Sequence, residues 1–232
     1  AAPAGGPPAD AVAAQPQLQL PPATPLATLV RFGSDGTGDG QMHDARDIAV
    51  DPNGNVWIAD TGNKRLLKFK PDGTPAGQWT TSAQGALVEP STLVAAKDGI
   101  VLVDSEAAVL HKYDFNGQPV TGFEHDLHLG HPRGITIDTK GVIYVASTAT
   151  NSIVKVAPDG SPAGDVPNLE QPTSAALDEQ GNLYVGQPDT RRLDKLAPDG
   201  SLLARWSFPA ATTLLPPRLF NLPGKGMLAA AP

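Results

Sequence analysis

One unit recurs along this chain, and its period limits the folds the chain can adopt. Between Asp51 and Gly73 the sequence reads DPNGNVWIADTGNKRLLKFKPDG. Asp51-Pro52-Asn53-Gly54 has the residues of a tight turn, with Pro at the second position and Gly closing it. Val56-Trp57-Ile58-Ala59 is a short run of strand formers. Asp60-Thr61-Gly62-Asn63 is a second turn, Leu66–Lys70 a second strand, Pro71-Asp72-Gly73 a third turn, and Pro75–Trp79 leads out. Strands and turns with no room for a helix make an antiparallel meander. The first turn glycine returns as Gly54, Gly99, Gly141, Gly181 and Gly226, at steps of 45, 42, 40 and 45 residues. The later one returns as Gly73, Gly117, Gly160 and Gly200, at steps of 44, 43 and 40. Two markers moving together at this period imply a repeat of about four strands, the length of one blade of a β-propeller.

The copies predict the strands. First strands fall at Asp47–Val50, Thr92–Ala95, Gly134–Ile137 and Ser174–Leu177. Second strands fall at Val56–Ala59, Ile100–Val103, Val142–Val145 and Asn182–Val185. Third strands follow at Leu66–Lys70, Ala108–Tyr113, Ile153–Val156 and Leu193–Leu196. Fourth strands close the units at Pro75–Trp79, Pro119–Phe123, Pro162–Val166 and Leu202–Trp206. A fifth unit begins with Leu219–Leu222 and Met227–Ala230, and the sequence then stops. Leu18-Gln19-Leu20 and Leu29–Phe32 have the order of a third and fourth strand. A ring must close or leave two unpaired edges. The expectation is therefore an all-β, five-bladed propeller of four-stranded antiparallel blades, the last blade shared by strands from both chain ends. The alternative is an incomplete six-bladed ring.

Residues 1–16, AAPAGGPPADAVAAQP, hold one charge and read as an Ala/Pro-rich linker or tail; the propeller domain is expected over 17–232. The 17 basic and 24 acidic residues give a net charge of −7, which argues against nucleic acid as a partner, since that needs a basic surface. With no cysteine, disulfides and thiolate metal sites are excluded. No apolar run reaches membrane-span length.

The first unit, DARDIAVDPNGNVWIADTGNKRLLKFKPDG, resembles the NHL repeat. Asp60, Gly62, Asn63 and Arg65 fit that family's second turn, whereas the other copies have decayed to Asp104-Ser105-Glu106, Ser147-Thr148-Ala149 and Gln187-Pro188-Asp189, with Arg192 in the Arg65 column. The resemblance covers about residues 29–231. It implies a propeller used mostly as a binding scaffold, with bacterial relatives that are exported or membrane-tethered. The expectation is thus a non-catalytic interaction or ligand-binding propeller: extracellular, periplasmic or at the cell surface, part of a larger chain or assembly, meeting a protein or glycan. Related propellers include lyases that hold zinc with a His after the Pro preceding a first strand. Here that position holds Arg46, Ser91, Arg133 and Thr173. A metal-assisted lyase or hydrolase, using His131 or His43, is the competing reading.

In a propeller the loops from fourth to first strand and from second to third strand share one face. Arg46, Asp60, Asn63, Asp104, His131, Arg133 and Arg191 are the candidate binding residues there. Arg46 and Arg133 hold one position in two units and could grip a carboxylate or phosphate, or pair with Asp47, Asp60 or Asp104. Asp60 and Arg65 flank a turn and read first as a structural bridge. His125, His128 and His131 share one loop with Glu124 and Asp126, so a divalent metal such as zinc would be sought there, although the spacing matches no ligand motif. Asp35 and Asp39 in the Gly33–Gly40 run are a faint calcium candidate without EF-hand spacing. No cofactor is required by this reading. Trp57, Tyr144 and Tyr184 share one column and are expected to pack between blades.

Overall fold

The computed structural model describes residues 30–208, together with the backbone of Arg218–Leu222 and Gly226–Ala230. Three complete four-stranded antiparallel meanders are present. The first contains β1 (Ala45–Val50), β2 (Val56–Asp60), β3 (Arg65–Phe69) and β4 (Pro75–Trp79). The second blade contains β5 (Pro90–Ala95), β6 (Ile100–Asp104) and β7 (Val109–Tyr113). The third contains β8 (Pro132–Ile137), β9 (Ile143–Ser147), β10 (Ser152–Val156) and β11 (Pro162–Val166). The fourth contains β12 (Ser174–Leu177), β13 (Leu183–Gln187), β14 (Arg192–Leu196) and β15 (Leu202–Ser207). A hairpin of β16 (Arg218–Leu222) and β17 (Gly226–Ala230) follows. The first strands β1, β5, β8, β12 and β16 are successive neighbours, as innermost strands of adjacent blades are. The expected linker, Leu18–Leu20 and the two-plus-two closure lie outside the described residues; of the expected strand Leu29–Phe32, the described residues 30–32 form no strand, and Phe32 instead packs its ring on Phe69 at 4.9 Å.

The second strands are closed off on both faces, as their unbroken apolar runs require. Every residue of β6 is buried, and in β2 only Val56 reaches partial exposure. Their side chains make the cores between blades. Trp57, Leu66, Leu93, Ile100, Leu102 and Tyr113 fill the space between the first two blades. Val101, Val103, Leu110, Ile143, Val145 and Val156 fill the next, and Ile153, Leu177, Leu183, Val185 and Leu196 the one after. Each fully buried aliphatic side chain of this kind contributes about 1.5–3 kcal/mol.

The second blade departs from the repeat in two places. The expected fourth strand at Pro119–Phe123 does not form. Only a bridge at Pro119 to Tyr113 and a hydrogen bond from Val120 N–H to the Lys112 carbonyl remain. Gly122 takes φ +78° and turns the chain away, and Phe123 swings into the core at 3% exposure. The glycine register also shifts. Asp51, Asp138 and Asp178 close their turns onto the carbonyls four residues on, but Ala96 closes onto Gly99, three residues on. Gly99 therefore stands where Asn55, Val142 and Asn182 stand, not where Gly54 does, and the turn is one residue shorter. The later turn is uniform: Gly73, Gly117, Gly160 and Gly200 all have φ between +82° and +92°, a conformation that L side chains adopt at a steric cost.

Candidate functional site

A repeated bonding scheme builds the loop face. The last residue of each second strand is a polar side chain with no more than 1% exposure: Asp60, Asp104, Ser147 and Gln187. Each accepts backbone N–H groups from the loop entering its own blade. His43 N–H donates to Asp60 at 2.7 Å, Val88 and Glu89 N–H to Asp104 at 2.7 and 2.9 Å, Gly130 N–H to Ser147 at 2.9 Å, and Glu170 N–H to Gln187 at 2.6 Å. The next residue then latches each blade to its successor. Thr61, Ser105 and Thr148 donate their hydroxyls to the carbonyls of Pro90, Pro132 and Pro172 at 2.6, 2.7 and 2.8 Å. Pro188 holds this position in the fourth blade and has no hydroxyl to give.

Asp60 and Asp104, expected on the binding face, therefore lie beneath it and hold its loops. Asn63 is half-buried and ties Asp60 to the Gly36 carbonyl. Arg65, 5% exposed, completes this anchor. Its guanidinium donates to Asp60 Oδ2 at 2.6 Å, to Gln78 Oε1 at 2.6 Å and to the carbonyls of Thr37, Gly38 and Gln41.

Arg46 and Arg133 sit at matching bulges, where one extra residue of the first strand opposes the second strand. That geometry directs both outward. Arg46 is engaged by Asp44 and Glu89, rather than by Asp47, Asp60 or Asp104. Arg133 is exposed and enters none of the ion pairs among the described residues. Arg191 is exposed in a left-handed conformation, φ +52°, at the turn position also held by Lys64, Ala108 and Asn151. The three loop histidines go separate ways. His125 Nδ1 bonds the Phe123 carbonyl at 3.0 Å, His128 lies 3.5 Å from Asp126, and His131 is exposed. Among the described residues no three His, Asp or Glu side chains are grouped to hold a metal. His43 pairs with exposed Asp35 at 3.1 Å, and this bond and charge raise its imidazole pKa.

Two features were missed from sequence. The first is a buried polar cluster in the second blade. His111 stands between Asp104, 3.9 Å from Nε2, and Glu124, 3.5 Å from Nδ1, and all three side chains are at most 4% exposed. Neither His111 Nδ1 nor Glu124 Oε1 makes an aligned hydrogen bond. Burial lowers the His111 pKa against the opposing pull of Glu124 and Asp104. Burial, with the same two carboxylates, raises that of Tyr113, whose hydroxyl donates to the Thr81 carbonyl. Glu124 forms part of the wall of a cavity of about 350 Å³ among residues 107–109 and 124–129.

The second is a lysine column, Lys68, Lys112, Lys155 and Lys195, at one position of each third strand. Lys68, Lys155 and Lys195 cover the rings of Trp57, Tyr144 and Tyr184, with 4.9–5.8 Å from Nζ to ring centre. The second blade has Val101 in the ring column, and Phe123 supplies the ring for Lys112 instead. Asp98 and Asp178 complete the pairing for Lys112 and Lys195 at 3.0 and 3.1 Å. These contacts define the opposite, first-turn end of the blades. A cavity of about 730 Å³ opens there between the second and third blades, walled by Val101, Ile137, Ile143, Lys97 and Lys140.

Residues 42–69 match the NHL repeat. The chain is 27% identical over 129 residues to the protein brain tumor of Drosophila melanogaster, covering 53% of this chain and 12% of that protein. It thus spans a small part of that relative's length. Among solved structures, streptogramin B lyase superposes with a TM-score of 0.65 at 16% identity, covering 81% of this chain and 60% of the other. A chain of the nidogen/laminin complex superposes with a TM-score of 0.60 at 18% identity, covering 72% and 65%. These likenesses place the fold among β-propellers.

Proposed function

We propose that the chain is a protein-binding propeller that meets its partner through the face formed by the fourth-to-first and second-to-third loops. One observation carries this reading. The anchor and latch positions that recur from blade to blade are buried acceptors and hydroxyls, whereas the exposed residues of that single face, Glu106, His128, Glu170, Asp189 and Arg191, follow no common pattern, and only the arginine of the bulge, Arg46 and Arg133, is shared by two blades. A repeated frame with variable loops separates stability from recognition, so specificity resides where the copies differ. The nidogen/laminin relative is a propeller fold found in a protein complex, which supports this use of the scaffold. The lyase likeness is one of fold, and the loop histidines are dispersed. An exported or cell-surface setting remains part of the proposal through the family resemblance alone.

The test is charge reversal on the two faces. Arg133→Glu with Arg191→Glu changes the loop face, and Lys140→Glu with Asp72→Lys changes the opposite end. Crosslinking in the source organism, followed by binding measurements with the purified partner, is expected to show loss with the first pair and retention with the second. Equal binding by both pairs refutes the reading.

A further inference from the structure

Among the described residues, Glu124 is the one buried carboxylate of the loop face with an oxygen left without a hydrogen bond. Its side chain is 4% exposed, and Oε1 is buried without a hydrogen bond. Buried carboxylates in native structures are paired or hydrogen-bonded. Asp104 beside it shows the usual solution, accepting N–H groups from Val88, Glu89 and Ala107. Glu124 has only the His111 ring, 3.5 Å away and misaligned. The loops around it, residues 80–90, 104–109 and 123–131, contain Glu89, Asp104, Glu106, Glu124 and Asp126 but no Lys or Arg. No Lys or Arg of these loops offers Glu124 a permanent counter-charge. The cavity beside Glu124 forms a notch at the start of β7, in the blade that lacks its fourth strand. Its lining is mixed: Val109, Leu127 and Leu129 stand beside the polar Gln84, Glu124, His125, Asp126 and His128. Its volume, about 350 Å³, admits a lysine side chain with accompanying water.

We propose that this notch receives a primary ammonium on an aliphatic stem, presented as a lysine side chain by the protein partner, with Glu124 as its counter-ion. This rests on the loop-face reading above and adds the anchor to it. Val109, Leu127 and Leu129 would lie along the methylene stem and the carboxylate would take the head, as amphipathic cations are usually held. His111 regulates the site. When protonated, its imidazolium neutralises Glu124 and competes with the incoming ammonium; when neutral, it leaves the carboxylate to the ligand. Asp104 faces the other side of His111, and both carboxylates act on the nearby Tyr113. Affinity is therefore expected to fall as pH is lowered through the His111 titration.

The probe is Nα-acetyl-lysine amide, with Nα-acetyl-norleucine amide as its uncharged counterpart, titrated into the whole chain while the His111 ring resonances are followed by NMR. Saturable shifts with the lysine amide alone, at least tenfold weaker binding to Glu124→Gln, and weakening at acid pH are the expected result. Replacement of a carboxylate by an amide of the same shape should preserve the fold. If Glu124→Gln does not fold, the wild-type pH profile and the norleucine comparison decide. Equal binding of the norleucine amide, an unchanged affinity in Glu124→Gln, or no response of His111 overturns the proposal. A partner that still binds Glu124→Gln but not the Arg133/Arg191 reversal would remove the notch and leave the loop-face reading intact.

Discussion

Removing the Arg65 guanidinium tests the loop-anchor scheme most directly. Arg65→Ala deletes five hydrogen bonds in one step. Three of the acceptors are carbonyls of residues 37, 38 and 41, in a loop open enough for water to replace the donor. The Asp60 carboxylate is different, because it has no exposure. It would keep His43 N–H and Asn63 but lose its counter-charge. Breaking a buried pair by removing one partner costs about 3–5 kcal/mol, a large share of a total stability of about 5–15 kcal/mol. With a urea m-value of about 2–3 kcal/mol/M, the unfolding midpoint should fall by roughly 1–2 M. Arg192, in the same column of the fourth blade, is the internal control. It pairs with Glu170, but their side chains are 19% and 55% exposed, so Arg192→Ala should cost about 0–1 kcal/mol. Arg65→Lys keeps the charge but cannot span the acceptors and should recover only part of the loss. Urea unfolding followed by tryptophan fluorescence reads all three. Equal midpoints for Arg65→Ala and Arg192→Ala would refute the assignment of Arg65 and Asp60 as a buried anchor.

Thr148→Val removes the latch to the Pro172 carbonyl while keeping the side-chain shape, and should cost about 1–2 kcal/mol in the same assay. Ala108 holds φ +55°, so Ala108→Gly should stabilise the protein by up to about 1 kcal/mol, the relief of left-handed strain less the added chain entropy of glycine; thermal unfolding measures it. Acid lability should trace to Asp51, Asp178 and Asp194. Burial alone would raise each carboxyl, but hydrogen bonds from Asn55 and Trp57, from Asn182 and Lys195, and from Arg205 and Gln187 outweigh it and lower all three. With folded values below an unfolded value of about 3.9, their contribution is present above that pH and is lost as pH falls through the folded values. Asp194→Asn should be less stable than wild type at neutral pH and show a flatter decline below about pH 4.

Much of the fold is legible in the sequence because each blade signals its strands twice, by turn residues and by burial. Pro75–Trp79 and Pro162–Val166 form the fourth strands expected of them, and the first-strand ends shift only to include the bulge residues. The loop anchors were half visible. Asp60, Asn63 and Arg65 stand out as a turn, but Asp104, Ser147 and Gln187 share their position without sharing their chemistry. What they have in common is the capacity to accept a backbone N–H, which unlike residue types can all supply. His111 was illegible for another reason. Its column holds Leu67, Val154 and Asp194, so a polar residue is tolerated only where an outer segment brings a partner. Arg205 on β15 does this for Asp194 at 2.7 Å. For His111 the partner is Glu124, in a segment whose register cannot be read once its strand fails.

The departures of the second blade form one connected change. With Val101 in the ring column, Lys112 has no aromatic partner on its own sheet. Phe123 fills that need only by leaving the fourth-strand position, which the φ of Gly122 permits. Its departure unpairs the outer edge of β7 beyond Val120 and carries the neighbouring Glu124 inward against His111. The notch and the unsatisfied carboxylate thus arise from the same rearrangement. This yields a reciprocal expectation. Val101→Tyr with Phe123→Thr should give Lys112 a ring on its own sheet and remove the pull on residues 119–123. Amide hydrogen exchange would then show new protection at Thr121 and Phe123, and the lysine-amide response of His111 should disappear. Protection without loss of that response would separate the blade's irregularity from its binding chemistry.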